Sequence, residues 1–416
     1  MASKTIITPV LKFWGFARHP FDDLVLRDGD LDLFIDREKE LRRLQNALSN
    51  SLSGVFGAQG VGKSSVLNKL AAWAVNEGHA VAVVQMSGTS ENLLYQEILA
   101  SILRQVKARN IKVATKLKLN VDQELKRLES SIKFTTSLEA GGKLGLTETG
   151  ISAGGRQQVE RELKQYTEDS AIKVIADLAR QAKSPFIVMI DNLERAKYLV
   201  NDKDGYFRYV TKFAQIVDSE FSQLGVPFIV SLDQSFYDRI DGFLPGPEEA
   251  FSFFFGQLVE IRTFPPGELF KIINRRLNYR KWSGTVDEFI DRDAFWALMI
   301  ATNGHPRRAF AVLREAMELI ASKDGKRKLS VDLIRAACQE CEEELDETEM
   351  RIFQFLVAKG PHSSSDEAFT KAVGIGRAQL RERLTVLQEK GLIGVTEGTS
   401  GTTKKDLYYV DDLDPA

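Results

Sequence analysis

The stretch "SGVFGAQGVGKSSVLNKLAAWAV", residues 53–75, constrains the fold more than any other part of the chain. It sets a short apolar strand, a glycine-rich loop and a helix in immediate succession. Its centre, "GAQGVGKS", satisfies G-x-x-x-x-G-K-[ST] at Gly57, Gly62, Lys63 and Ser64. Glycines let a backbone wrap an anion without Cβ clashes. The N–H groups of the loop and of the helix start then point at that anion. The spacing therefore assigns Gly57, Ala58, Gln59, Gly60, Val61, Gly62, Lys63, Ser64 and Ser65 to a cradle for the phosphates of ATP or ADP. Lys63 supplies a point charge to the β and γ phosphates, and the Ser64 hydroxyl is a ligand for Mg²⁺.

Three further apolar runs read as buried strands: "HAVAVVQMSG", "SPFIVMIDNLERA" and "GVPFIVSLDQSF". Buried strands alternating with helices imply an α/β fold, a parallel sheet covered on both faces. Ligands in such sheets lie beyond the carboxyl ends of the strands. Asp191 ends one strand, and a carboxylate there suits Mg²⁺ held through water. Asn192 follows, where many ATP-hydrolysing machines carry glutamate. An amide can hold a water but cannot take its proton. Glu194 lies two residues on, and an extended backbone would point it from the same side as Asn192. The expectation is slow hydrolysis, with Glu194 positioning the water and Asn192 assisting; the alternative is a surface ion pair for Glu194.

Composition bounds the rest. The 416 residues are enough for two or three domains. The net charge of −2 excludes a uniformly basic nucleic-acid binder, so any basic surface is local. No uninterrupted apolar run spans a bilayer, and the N-terminus reads as carrying no secretory signal. Only Cys338 and Cys341 occur, which fits a reducing, cytoplasmic setting. They form a CxxC on an expected helix over 331–345. No second ligand pair completes a zinc site, so they read as packing thiols. Residues 104–164 hold thirteen Lys/Arg against seven Asp/Glu. Inside that stretch, the Gly/Thr-rich residues 132–155 read as a β-hairpin or mobile insertion. The insertion is a candidate nucleic-acid or protein contact.

Several motifs together resemble the Orc/Cdc6-like AAA+ ATPases. "FIDREKELRRL" is similar to that family's "GRE-x-EL" lead-in, with Asp36 in place of glycine; the resemblance puts Arg37 near the adenine. "SLDQSF" resembles sensor 1, with Asp233 replacing asparagine at a strand end near the γ-phosphate. "GHPRRAFAVLREA" resembles sensor 2, and Arg307 matches the arginine that reaches the γ-phosphate from a helical lid. The resemblance implies an AAA+ nucleotide-binding domain over 1–262 with the insertion near 104–164, and a helical lid over 263–345. It covers most of residues 18–345. "DNLER" and "GHP" also resemble STAND and KAP-type P-loop ATPases. AAA+ oligomers complete their sites with a neighbour's arginine. The stretch before Arg262 has no obvious one, and Arg239 is a weak candidate.

Residues 346–416 read as three helices and two strands, the order of a winged helix-turn-helix. Ile352, Phe353, Leu356 and Val357 form one helical stripe, Ser365 is a plausible N-cap, and Leu380, Leu384 and Leu387 face inward. Arg377, Arg381 and Arg383 on the third helix, with Lys404 and Lys405 on the wing, are candidate contacts to double-stranded DNA. The region is nonetheless nearly neutral, with nine Lys/Arg against eight Asp/Glu over 347–410. Winged helices also dock proteins. The leading expectation is an ATP-dependent DNA-binding switch, initiator-like, loader or transposition regulator, that forms homo-oligomers on binding ATP. The rival expectations are a STAND-like signalling or antiviral-defence ATPase and a nucleotide-dependent scaffold.

Overall fold

The computed structural model describes residues 8–22, 26, 30–86, 94–108, 121–139, 168–181, 186–193, 205–234, 255–321, 327–400 and 403–410. The chain divides into two compact units: residues 37–261, and residues 1–36 together with 262–416. The chain thus enters the second unit, leaves it for the whole of the first, and returns. The described residues before the crossing include a short helix, α1 (Pro9–Trp14), and a 3-10 turn at Leu31–Leu33.

The inner unit opens with α2 (Glu38–Ala47), β1 (Leu52–Gly57), α3 (Lys63–Asn76) and β2 (Ala80–Gln85). It continues with α4 (Leu94–Ala108), α5 (Val121–Glu139), α6 (Glu168–Gln181) and β3 (Phe186–Asp191). It closes with α7 (Gly205–Ile216), β4 (Phe228–Asp233) and β5 (Gln257–Glu260). The five strands form one sheet in the order β2-β3-β4-β1-β5, every pair parallel. All six residues of β1 and of β3 are buried, as continuous apolar runs in a two-sided parallel sheet require. The α/β expectation therefore holds. β4 lies between β1 and β3, so the phosphate-loop strand and the Asp191 strand do not touch each other's edges. Polar groups at the end of β4 come between them.

The stretch read as a hairpin differs. Residues 132–139 continue α5 instead of forming a strand. Leu125, Leu128 and Ile132 recur at helical spacing, and no glycine interrupts the run before Gly141. The alternation in "FTTSLE" was a weaker signal than that period. The remainder of 140–155 lies outside the described residues.

The outer unit resumes with α8 (Pro266–Tyr279), α9 (Val286–Phe289), α10 (Arg292–Thr302), α11 (Pro306–Ala321) and α12 (Val331–Glu340). From Ala294 to Thr302, α10 is buried at every residue, making it the central helix of this core. The segment around α1 is part of the same core. Trp14 is 1% exposed, its Nε1–H donates to the Met317 carbonyl at 3.1 Å, and its ring lies 5.1 Å from that of Phe289. Phe21 stacks on Phe310. The Arg276 guanidinium sits over the same Phe310 ring and donates to the carbonyls of Pro20 (3.1 Å) and Asp22 (2.9 Å).

α12 ends at Glu340, five residues short of the expected helix end; Cys341 is its C-cap, and Glu342 turns left-handed at φ +57. Burial pushes the Cys338 thiol up to about 12 and raises that of Cys341 as well. Both thiols are protonated at neutral pH, and no group of three or more metal-ligating side chains occurs among the described residues. Cys338 is buried in the outer core, and Cys341 packs half-buried against it.

The outer unit ends with α13 (Glu347–Lys359), α14 (Glu367–Val373), α15 (Arg377–Glu389) and the antiparallel hairpin β6 (Gly394–Ser400) and β7 (Thr403–Tyr409). His362 and Tyr408 exchange backbone hydrogen bonds at 3.0 and 2.9 Å, tying the hairpin to the turn after α13. Leu380, Leu384 and Leu387 are buried as expected. Val357 is not part of the inward stripe: it is 51% exposed. The N-cap of α14 is Asp366 in place of Ser365.

Candidate functional site

β1 ends at Gly57, whose φ of +147 turns the chain into the loop. A Cβ there would lie 2.3 Å from the Ile261 carbonyl oxygen, so the strand-to-loop exit admits only glycine. Gly62, at φ +107, is the N-cap of α3, and Lys63 begins the helix. The loop is pinned by Val61, which is buried, while Ala58 and Gln59 are exposed. Lys63 is only 6% exposed, and its ammonium donates to the carbonyls of Gly57 (2.8 Å) and Ala58 (3.1 Å). The lysine thus folds over its own loop. An arriving phosphate replaces neutral acceptors with an anionic one, a stronger partner for the ammonium. Ser64 and Ser65 are half-buried on the first turn of α3.

Asp191 is 3% exposed at the end of β3. Its Oδ1 accepts from the Ser64 hydroxyl at 2.9 Å, from the Ser231 hydroxyl at 3.1 Å and from the Asn192 N–H at 3.0 Å. Two residues from opposite sides of the β4 strand, one on the phosphate loop's helix and one on β3, are thereby brought to one point. Register places Asp233 beside Gly57, so the end of β4 borders the loop. The oxygen pair of Ser64 and Asp191, with no larger acidic cage among the described residues, suits an ion that keeps waters and takes phosphate oxygens. Mg²⁺ is such an ion.

Asn192 departs from the expected geometry. The strand ends at Asp191, and Asn192 is left-handed at φ +59. Its Nδ2 faces Asp191 Oδ2 at 3.5 Å. The extended backbone on which a shared side for Asn192 and Glu194 depends is therefore interrupted. Glu194 and Arg239 lie outside the described residues.

Ser231 was not singled out from sequence. Its only signal was a hydroxyl inside the apolar run "FIVSLD", a place where a polar side chain must find a partner. At the lead-in, Asp36 has φ +49 and Arg37 has φ +113. A glycine would adopt that left-handed position freely, which accounts for the resemblance's glycine there. Arg37 is 7% exposed and pairs with Glu40 at 3.2 Å.

In the outer unit, two adjacent arginines open α11. Arg308 is engaged by Glu343, which raises its pKa. Arg307 is exposed. On α15, Arg377 and Arg381 are exposed. Arg383 is not available in the same way. Its Nη1 donates to Asp346 at 2.7 Å and lies 3.7 Å from the buried Glu349. Lys405 is half-buried on β7; of Lys404 only the backbone position on β7 is described.

A parallel α/β sheet with a glycine-rich phosphate loop at the end of β1 and an acid at the end of β3 defines a P-loop unit. Residues 33–200 match the family described as "AAA ATPase domain". No curated protein matches the chain in sequence. Among solved structures, the Orc1 protein of Aeropyrum pernix in complex with DNA is similar at 16% identity and a TM-score of 0.38, covering 96% of this chain and 93% of that one. The Orc2 protein of Aeropyrum pernix in its ADP form is similar at 16% identity and a TM-score of 0.43, covering 95% and 94%. A Walker-type ATPase of Pyrococcus abyssi is similar at 16% identity and a TM-score of 0.43, covering 95% and 97%. No helix among the described residues is long and apolar enough to cross a membrane.

Proposed function

We propose that this chain is a cytoplasmic AAA+ switch that binds ATP with Mg²⁺, hydrolyses it slowly, and binds double-stranded DNA through a winged helix over 346–416. One observation carries the nucleotide half: the 2.9 Å hydrogen bond that joins Ser64 on the phosphate loop to Asp191 on β3. That bond gathers the Ser64 hydroxyl and the Asp191 carboxylate, the two groups that would hold the ion. Bound Mg²⁺ supplies neutralisation of phosphate charge. Gly57 to Ser65 cradle the phosphates, Lys63 pairs with the β and γ oxygens, and Asp233 and Arg307 read the γ-phosphate. Arg37 stands on the adenine side. Glu194, with Asn192, positions the attacking water. We place the boundaries at 1–262, 263–345 and 346–416 along the chain, with Leu11, Trp14, Phe16 and Phe21 of the first stretch packed into the outer core. ATP favours homo-oligomers, and the 104–164 insertion is a second partner surface.

The order of α13, α14, α15, β6 and β7 supports the winged-helix reading, with Arg377 and Arg381 exposed on the third helix. The test combines nucleotide and DNA binding. Lys63→Ala is expected to lose binding of a fluorescent ATP analogue, and Glu194→Gln to bind but not turn over. Duplex binding is expected to strengthen with ATP and to weaken log-linearly with salt. Glu194→Gln with wild-type turnover removes Glu194 from its role. Duplex binding without a salt slope removes the DNA half.

A second reading, a nucleotide-dependent scaffold with negligible turnover, is favoured by the Asn192 side chain, which faces Asp191. Phosphate release indistinguishable between wild type and Lys63→Ala, with nucleotide still bound by wild type, selects it.

A further inference from the structure

We propose that Ser231 is a positioning residue of the nucleotide site, acting through Asp191 and Asn192; this rests on the nucleotide reading above. Ser231 is fully buried in β4, between Val230 and Leu232. A buried hydroxyl is costly unless its proton and a lone pair are both used. Here both are used on the same neighbouring strand end. The proton goes to Asp191 Oδ1 at 3.1 Å, and the oxygen accepts the Asn192 N–H at 2.7 Å.

Two consequences follow from that double contact. First, Asp191 Oδ1 receives three donors: Ser64, Ser231 and the Asn192 N–H. Three donors, from α3, from β4 and from the turn after β3, fix the carboxylate's rotation. Oδ2, whose one described contact is the long 3.5 Å approach of Asn192 Nδ2, is left as the oxygen directed at an ion's water. Secondly, the Asn192 N–H is held by two acceptors, and this stabilises the left-handed turn at φ +59. That turn sets where the chain beyond β3 leaves the site. Ser231 itself lies two residues before Asp233, the β4 residue in register with Gly57. It is thus a back support for the acid, on the strand that separates β1 from β3.

The test uses the full chain, wild type, Ser231→Ala, Ser231→Thr and Lys63→Ala, with a fluorescent ADP analogue and Mg²⁺. In EDTA, Ser231→Ala is expected to bind the analogue like wild type. The Mg²⁺ concentration for half-maximal tightening is expected to rise about tenfold, the effect of losing one hydrogen bond to a charged group. The turnover number for ATP falls while KM stays. Ser231→Thr, which keeps the hydroxyl, recovers most of the Mg²⁺ response. An unchanged Mg²⁺ response in Ser231→Ala overturns the proposal. So does an equal defect in Ser231→Ala and in a folded Ser231→Thr, or a loss of analogue binding in EDTA. If threonine's extra methyl prevents folding, Ser231→Cys takes its place: it keeps the volume with a weaker donor, and an intermediate Mg²⁺ response supports the role while a wild-type response refutes it. Equal analogue binding by wild type and Lys63→Ala overturns the nucleotide reading itself and is read independently of the Ser231 variants.

Discussion

Arg383 shares a helix with Arg377 and Arg381, yet its guanidinium is engaged inside the fold. It donates to Asp346 at 2.7 Å and stands 3.7 Å from Glu349, whose side chain is 3% exposed and is also held by Lys390 at 3.1 Å. Consider Arg383→Ala. Asp346 keeps the two N–H groups that it caps, those of Thr348 (2.8 Å) and Glu349 (3.0 Å). Glu349 keeps Lys390, so no buried charge is left alone and the large cost of an orphaned ion does not arise. The Arg383 and Asp346 side chains are 38% and 29% exposed, so solvent screens their pair to about 1 kcal/mol or less. The longer contact to buried Glu349 adds a comparable share, for a total loss of about 1–2 kcal/mol. Urea unfolding reads that loss. Duplex binding across a salt series reads the other half of the argument. Each phosphate contact adds about 0.9 to the slope of log K against log salt. Arg377→Ala and Arg381→Ala are each expected to lower the slope by about that amount, and Arg383→Ala to leave it unchanged. A slope loss in Arg383→Ala equal to that in Arg381→Ala, with stability unaltered, refutes the reasoning.

Trp14→Ala deletes a fully packed indole and its hydrogen bond to Met317, so the outer unit is expected to lose about 3–5 kcal/mol in guanidinium unfolding, followed as its own transition. A loss near zero means that the segment before the crossing is not docked. His19 accepts the Phe21 N–H at 3.1 Å, and burial, reinforced by nearby Arg314, holds its pKa down at about 4 from 6.5. The unfolded chain takes up this proton below about pH 6.5 and the folded chain only near 4. Stability therefore falls as pH drops through that window, and His19→Gln is expected to flatten the dependence by up to one proton between pH 7.5 and 4.5. An identical pH dependence in wild type and His19→Gln denies His19 that part.

Much of the phosphate site was legible because its constraints are local. Gly57 and Gly62 occupy left-handed backbone that other residues resist, and that demand is written at fixed spacing in "GAQGVGKS". Asp191 stood out as an acid closing an apolar run. What was not legible depends on partners far along the chain. Ser231 acquires meaning only through Asp191, 40 residues away, once β3 and β4 are neighbours. Arg383 looked like any exposed helical cation until Asp346 and Glu349 were placed beside it. Asn192 was read on an extended backbone because nothing local announces a left-handed asparagine, a residue type that adopts that region more readily than most. The aromatic residues Trp14, Phe16 and Phe21 form no helical period, and Trp14 and Phe21 find partners at Phe289, Phe310 and Met317, far along the chain.

That last arrangement has a consequence for how the protein is made. Trp14 donates to a carbonyl 303 residues further on. At roughly 5–20 residues per second, about 15–60 s of synthesis separate the indole from its acceptor. The inner unit, residues 37–261, is synthesised about 3–11 s before Met317 appears. During this interval Leu11, Trp14, Phe16 and Phe21 have no core to enter, and an exposed aromatic segment of this kind invites association with other chains. The newborn chain therefore needs protection over Leu11 to Phe21 until the outer core has been synthesised.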